Sequence, residues 1–155
     1  MKFEVKQIGT IYSPYKRKED CPIQGQAMPE GRGRVEIYPE YKDALHTLDT
    51  FSHIILVYIF DRAGEVMLQR LPFSDDEVRG LFATRHPCRP NPVGVSIVKL
   101  DNIDGNILCI SELGILDQTP LIDIKPYVPR FDYRKNANNG WLEDLPFRPK
   151  PIGRE

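Results

Sequence analysis

The stretch from Val93 to Leu113, VGVSIVKLDNIDGNILCISEL, decides the fold. Val93–Leu100 and Ile107–Leu113 are apolar runs on either side of Asp104-Gly105, and an Asp-Gly pair between two such runs signals a hairpin of two strands. Working outward, Phe51–Phe60 (FSHIILVYIF) is near-continuous Ile, Leu, Val and Tyr, which predicts a strand buried on both faces. At the N-terminus, Phe3, Val5, Gln7, Gly9 and Ile11 share one face of an alternating segment that Ser13-Pro14 stops. Arg34–Tyr38, Gly80–Thr84 and Leu121–Ile124 read as further short strands, the last closed by Pro126. Pro39-Glu40 opens a short helix with Tyr41, Leu45 and Leu48 at helical spacing. Between the first two strands, residues 16–33 form a long polar loop rich in Pro and Gly, a kind of loop that is often functional.

Six or seven short strands against one or two short helices argue against a doubly wound parallel sheet, which needs a helix between successive strands. The expected fold is mainly β: a single-domain β-barrel, closed or nearly closed, with one or two short helices. It should occupy residues 1–135. Residues 136–155 read as a charged, irregular tail with Trp141 and Leu142 as its anchors.

The chain has 155 residues, 41% hydrophobic and 28% charged, an ordinary globular balance. A net charge of −1 means that any basic surface is a local patch. The longest apolar run, Ile54–Phe60, falls far short of the roughly 20 residues a membrane helix needs, so no membrane partner is expected. The N-terminus has no apolar signal core, and three cysteines without CxxC spacing fit reduced thiols; a cytoplasmic protein is expected.

The chemistry concentrates in two places. Thr84–Ser96, TRHPCRPNPVGVS, carries three prolines that fix φ and push the preceding residues towards extended geometry. Such a loop can present Arg85, Arg89 and Asn91 with little loss of entropy on binding. Alternatively it is a rigid connection holding a structural Arg–carboxylate pair. Asp117-Gln118-Thr119-Pro120 is a second polar turn, whose Asp is either functional or a turn cap. Asp123 lies between Ile122 and Ile124 and has Lys125 as a same-face partner. The three histidines and three cysteines are scattered, so no metal is expected, and Cys88 has no visible catalytic partner. Neither GxGxxG nor GxxxxGK[ST] occurs.

FATRHPCRPNPVGVS, DQTPLIDIKPYVP, FSHIILVYIF and IGTIYSPYK together resemble, in the same order and at similar spacing from about Ile8 to Pro129, the TsaA-like (TrmO) family of S-adenosylmethionine-dependent tRNA methyltransferases. The resemblance implies a β-barrel that works as a homodimer with S-adenosylmethionine near the subunit interface. It also implies N6-methylation of threonylcarbamoyladenosine at position 37 of threonine tRNA. Position by position, it implies cofactor contacts at Pro22, Ile23 and Gln24, at Asp61 and Arg62, at Arg85, at Val95, and at Asp117, Gln118, Thr119 and Pro120. Three departures stand out. Gln118 replaces the usual Gly, Asp61-Arg62 replaces His-Gln, and the additional C-terminal domain of some bacterial members is not expected here.

Asp117 is the candidate catalytic group, as proton acceptor or as cofactor anchor. Lys16, Arg17, Arg32, Arg34 and Arg89 are candidate tRNA contacts, because phosphates draw local positive charge. Tyr15 or Tyr127 could stack on an unpaired base. Two alternatives are a methyltransferase of the same fold acting on a small molecule, and a non-catalytic RNA-binding barrel.

Overall fold

Val93–Leu113 does turn back on itself. The computed structural model describes residues 1–22, 31–73 and 75–146, and its strands in chain order are β1 (Gly9–Tyr12), β2 (Gly33–Ile37), β3 (His53–Ile59), β4 (Gln69–Arg70), β5 (Arg79–Gly80), β6 (Val93–Asp104), β7 (Ile107–Ser111) and β8 (Thr119–Pro126). Asp104 faces Ile107 across the β6–β7 turn, where Gly105 takes a φ of 63° that glycine adopts without steric penalty. Asn106 ties the hairpin tip to β2, donating from its side-chain amide to the Ile37 carbonyl at 2.7 Å.

Six strands close a barrel in the order β1-β2-β7-β6-β3-β8, with β8 returning to pair with β1, all antiparallel. Closure pairs the edges that an open sheet would expose. β4 and β5 form a separate two-stranded ribbon on the excursion between β3 and β6. Ile11, Val35, Ile54, Leu56, Val98, Leu108, Ile110, Leu113 and Leu121 fill the barrel and are fully buried. Each such side chain contributes about 1.5–3 kcal/mol of transfer free energy. No helix among the described residues is long and apolar enough to cross a membrane.

Several expectations change in detail. β3 is not buried on both faces: Ile54, Leu56 and Tyr58 point into the barrel, while Ile55, Val57 and Ile59 are only half-buried outside it. Their outward neighbours on β6, Val95 and Ile97, are 57% and 49% exposed. β1 is shorter than the alternation suggests, with Phe3 and Val5 exposed before it begins. Of Gly80–Thr84 only Gly80 is in a strand, at the end of β5; the chain then enters a 3-10 turn, Leu81–Ala83, which the Thr84 hydroxyl closes by donating to the Leu81 carbonyl at 2.8 Å. Pro39–Leu45 is helical as read, but of 3-10 type, and the one α-helix among the described residues is α1 (Pro129–Asp132).

β8 starts at Thr119, two residues before the expected strand, and carries a bulge: Val57 pairs with Asp123 but Tyr58 with Leu121. The extra residue, Ile122, lets both Leu121 and Ile124 pack on the core while Asp123 meets Lys125 at 2.9 Å.

Candidate functional site

Pro14 ends β1, and the segment Ser13–Lys16 is then fastened along the stretch that leads into β8. The Ser13 hydroxyl donates to the Ile115 carbonyl at 2.6 Å, and the Asp117 amide donates to the Tyr15 carbonyl at 2.8 Å. The Asp117 carboxylate closes the seam. One oxygen accepts the Ser13 amide at 2.9 Å and the other accepts Lys16 Nζ at 2.5 Å. Asp117 is only 5% exposed. Burial pushes its carboxyl up, but the hydrogen bonds from Lys16 and Ser13, the Lys16 charge and a hydrogen bond from Gln118 outweigh burial, and the group lies below the usual carboxylate range.

A third segment arrives from the end of β3. Arg62 Nη2 donates to the Asp117 carbonyl at 2.8 Å and to Thr119 Oγ1 at 3.1 Å, and Arg62 Nε reaches Asp61 Oδ1 at 3.2 Å. Thr119 Oγ1 itself donates to the Leu116 carbonyl at 2.7 Å. Between them, Gln118 adopts a φ of 62°, the left-handed region that glycine occupies at no cost. The result is an open cleft of about 440 Å³ lined by Lys16, Asp61, Arg62, Asp117 and Gln118. Two cations and two carboxylates converge there from three separated parts of the chain.

Lys16, a candidate for the RNA surface, lines this cleft. Thr119 is buried beside it, and Pro120 is half-buried opposite Thr10 of β1. Pro22 is half-buried; Ile23 and Gln24 lie outside the described residues. Val95 faces outward from β6, and Arg85 is exposed on the proline-braced loop; neither lines the cleft. Arg85 is nonetheless felt at Tyr58. Burial raises the Tyr58 phenol, against a 2.8 Å hydrogen bond with Ser96; Cys21 adds to the rise and the Arg85 charge opposes it. Burial and then Cys21 raise the Tyr15 phenol likewise. Tyr15 is joined to Asp117 through the backbone.

Gly94 has a steric reason: a Cβ there would overlap the Tyr58 ring and come within 2.8 Å of Phe60 Cζ. Tyr58 and Phe60 pack edge to face at 5.3 Å. Sequence reading missed Tyr58, Ser13 and Cys21. Ser13 lies in the quoted IGTIYSPYK, and Tyr58 in FSHIILVYIF, but nothing in one sequence tells a hydroxyl in an apolar strand from core.

The remaining arginines separate. Arg89 Nη1 donates to the carbonyls of Thr84 at 2.8 Å, His86 at 3.2 Å and Leu81 at 3.4 Å. It is thus a structural arginine of the rigid loop, with carbonyl rather than carboxylate partners. Arg17 pairs with Asp20, and Arg34 lies over Tyr12 with Glu36 beside it. Arg32 is exposed. Tyr15 is buried and offers no open ring for stacking, while Tyr127 is half-buried and edge-on to His53.

Residues 10–133 match the family model described as the tRNA-methyltransferase O N-terminal domain. A probable S-adenosyl-L-methionine-binding protein of Pyrococcus abyssi is 51% identical over 138 residues, covering 89% of this chain and 75% of that one. The tRNA (adenine(37)-N6)-methyltransferase of Escherichia coli is 34% identical, covering 93% of this chain and 66% of the relative. Among solved structures, TrmO from Pseudomonas aeruginosa superposes with a TM-score of 0.80 at 36% identity, covering 94% of this chain and 65% of that one. The chain spans just under two thirds of the length of those last two relatives.

Proposed function

The chain belongs to the TrmO family, that of the tRNA-methyltransferase O N-terminal domain, and from that premise we propose that it methylates N6 of threonylcarbamoyladenosine at position 37 of threonine tRNA, using S-adenosylmethionine. The observation that carries this reading is the cleft in which Asp117, Lys16 and Arg62 meet. Its lining fits the proposed cofactor chemically. An amino acid carboxylate needs cations, which Lys16 and Arg62 provide, and an ammonium needs an acceptor, which Asp61 provides. When bound, S-adenosylmethionine supplies an electrophilic methyl group for an in-line displacement.

The chain's own contribution is alignment, which can lower such a barrier by many kcal/mol. Asp117 serves as the anchor of the cleft: both its oxygens are engaged and its carboxyl is held low, a poor setting for a proton acceptor. It keeps Lys16 at the cleft and locks the Ser13–Lys16 segment in place. The N6 proton is acidified by the adjacent carbamoyl group of the substrate, which lightens the demand on any protein base. Arg85, held out by the proline-braced loop, and Pro22, Ile23, Gln24, Val95, Thr119 and Pro120 complete the proposed cofactor contacts. The active form is a homodimer. Val93, Val95 and Ile97, an exposed apolar stripe on the outer face of β6, support association of two copies. The protein acts on tRNA in the cytoplasm.

The test is mass spectrometry of nucleosides from threonine tRNA incubated with the protein and S-adenosylmethionine. A gain of one methyl on threonylcarbamoyladenosine is expected. No product on this tRNA, with methyl transfer to a small amine instead, would move the assignment to the small-molecule reading. Absence of S-adenosylmethionine binding would leave the non-catalytic barrel.

A further inference from the structure

We propose that Phe82 is a fixed platform on which an unpaired base of the RNA substrate stacks. The inference rests on the RNA-substrate reading above and adds the residue that would receive the base. Phe82 is 80% exposed, in the 3-10 turn Leu81–Ala83 directly before the proline-braced loop. Large aromatic side chains usually supply burial, and this one supplies none to the barrel.

The turn that carries the ring is held on several sides. Leu81 is buried, and its amide donates to the Leu68 carbonyl at 2.9 Å. The Thr84 hydroxyl and Arg89 both donate to the Leu81 carbonyl. Trp141 Nε1 donates to the Ala83 carbonyl at 2.8 Å, and the Arg79 guanidinium lies 5.1 Å from the Trp141 ring centre, itself paired with Asp75. The backbone beneath Phe82 is therefore already in place when a ligand arrives, and little ordering entropy is lost.

The surroundings choose among ligands. Arg89 Cζ lies 5.7 Å from the Phe82 ring centre, and its partners are carbonyls, which leave its charge intact. Arg85, exposed, follows three residues later. A π face with a guanidinium beside it matches a ligand that is flat, aromatic and anionic on its backbone, and single-stranded nucleic acid has that character. The apolar stripe on β6 has only carbon to offer and suits a second protein chain; the Phe82 turn combines ring and charge.

The experiment measures binding of a fluorescently labelled anticodon stem–loop RNA to the full chain and to F82A, F82L and F82W. Loss of one base stack should weaken binding roughly five- to hundredfold in F82A. F82L keeps apolar bulk without a π face and should also lose most of the affinity, while F82W should restore it. RNA without a label should quench the indole introduced by F82W beyond the response of Trp141 in the wild type, and S-adenosylmethionine affinity should be unchanged throughout. Wild-type affinity in F82A and F82L would overturn the inference alone, as would a change in their sedimentation mass in place of a change in RNA affinity. Failure of the wild-type chain to bind this RNA would remove the RNA-substrate reading, and this inference with it.

Discussion

Replacing Asp117 by alanine removes two links of unequal value. The Ser13 amide is buried and donates to Oδ1 at 2.9 Å; without an acceptor it incurs a desolvation penalty of about 1–3 kcal/mol. The Lys16 link is worth less, because the Lys16 side chain is 68% exposed and water screens it, leaving about 0.2–1 kcal/mol. Asp117→Ala should therefore destabilise the barrel by about 1–4 kcal/mol, and Lys16→Met by no more than about 1 kcal/mol. At roughly 2–4 °C per kcal/mol for a chain of this size, the thermal midpoint should fall by about 2–16 °C in the first variant. The double variant should match Asp117→Ala alone, since the Lys16 link is lost in both. Urea and thermal unfolding followed by circular dichroism provide the numbers. If Lys16→Met proves as costly as Asp117→Ala, the carboxylate owes its place to the ion pair and not to the Ser13 amide. A functional arm uses Asp117→Asn: cofactor affinity should fall while the single-turnover rate at saturation changes little. Unchanged affinity with a hundredfold slower transfer would instead make Asp117 the proton acceptor, and no change in either would take it out of the site.

Three further outcomes are expected. Gln118 sits at φ 62°, so a β-branched replacement, Gln118→Val, should destabilise by more than about 1 kcal/mol while Gln118→Gly, which relieves the backbone but loses the bond to Asp117, should cost clearly less; equal losses in urea titrations would show that the left-handed backbone is not the controlling feature. The folded Asp117 carboxyl titrates below its ordinary value of 3.8, so its stabilising share is complete above that pH and is lost as pH falls through the folded value. Wild type should thus lose its margin over Asp117→Asn on acidification from about pH 6 to about pH 2, and parallel curves for the two proteins would contradict this. Gly94→Ala drives a Cβ into the Tyr58 ring and should destabilise by about 1–3 kcal/mol, which an unchanged thermal midpoint would refute.

What one sequence made legible was whatever a local pattern encodes. The β6–β7 hairpin announces itself through Asp104-Gly105, and β3 through its run of Ile, Leu, Val and Tyr. The barrel class followed from the number and shortness of the strands. Details set by distant partners were not legible. Ile122, Asp123 and Ile124 alternate on paper, and only pairing with β3 shows that a bulge turns Leu121 and Ile124 to the same side. Gly80–Thr84 has strand composition, but the Leu81 carbonyl takes its donors from Thr84 and Arg89, which favours a 3-10 turn. The motif turns marked Asp117 and Arg62, yet their meeting with Lys16 depends on β1 and β8 lying side by side. Exposure of Phe82, against burial of Tyr15, depends on tertiary packing that a single sequence does not display.

The seam between β1 and β8 sets an order of events during synthesis. Gly9, Thr10 and Ile11 pair with Leu121, Pro120 and Thr119, a separation of more than a hundred residues. As a ribosome releases the chain from its N-terminal end, β1 can meet β2 early, but its other edge stays unpaired until almost the whole barrel has emerged. Ser13 and Lys16 likewise wait for Asp117. The cleft is among the last features a nascent chain can assemble, so a truncation before Asp117 removes the barrel's closure and the cleft together.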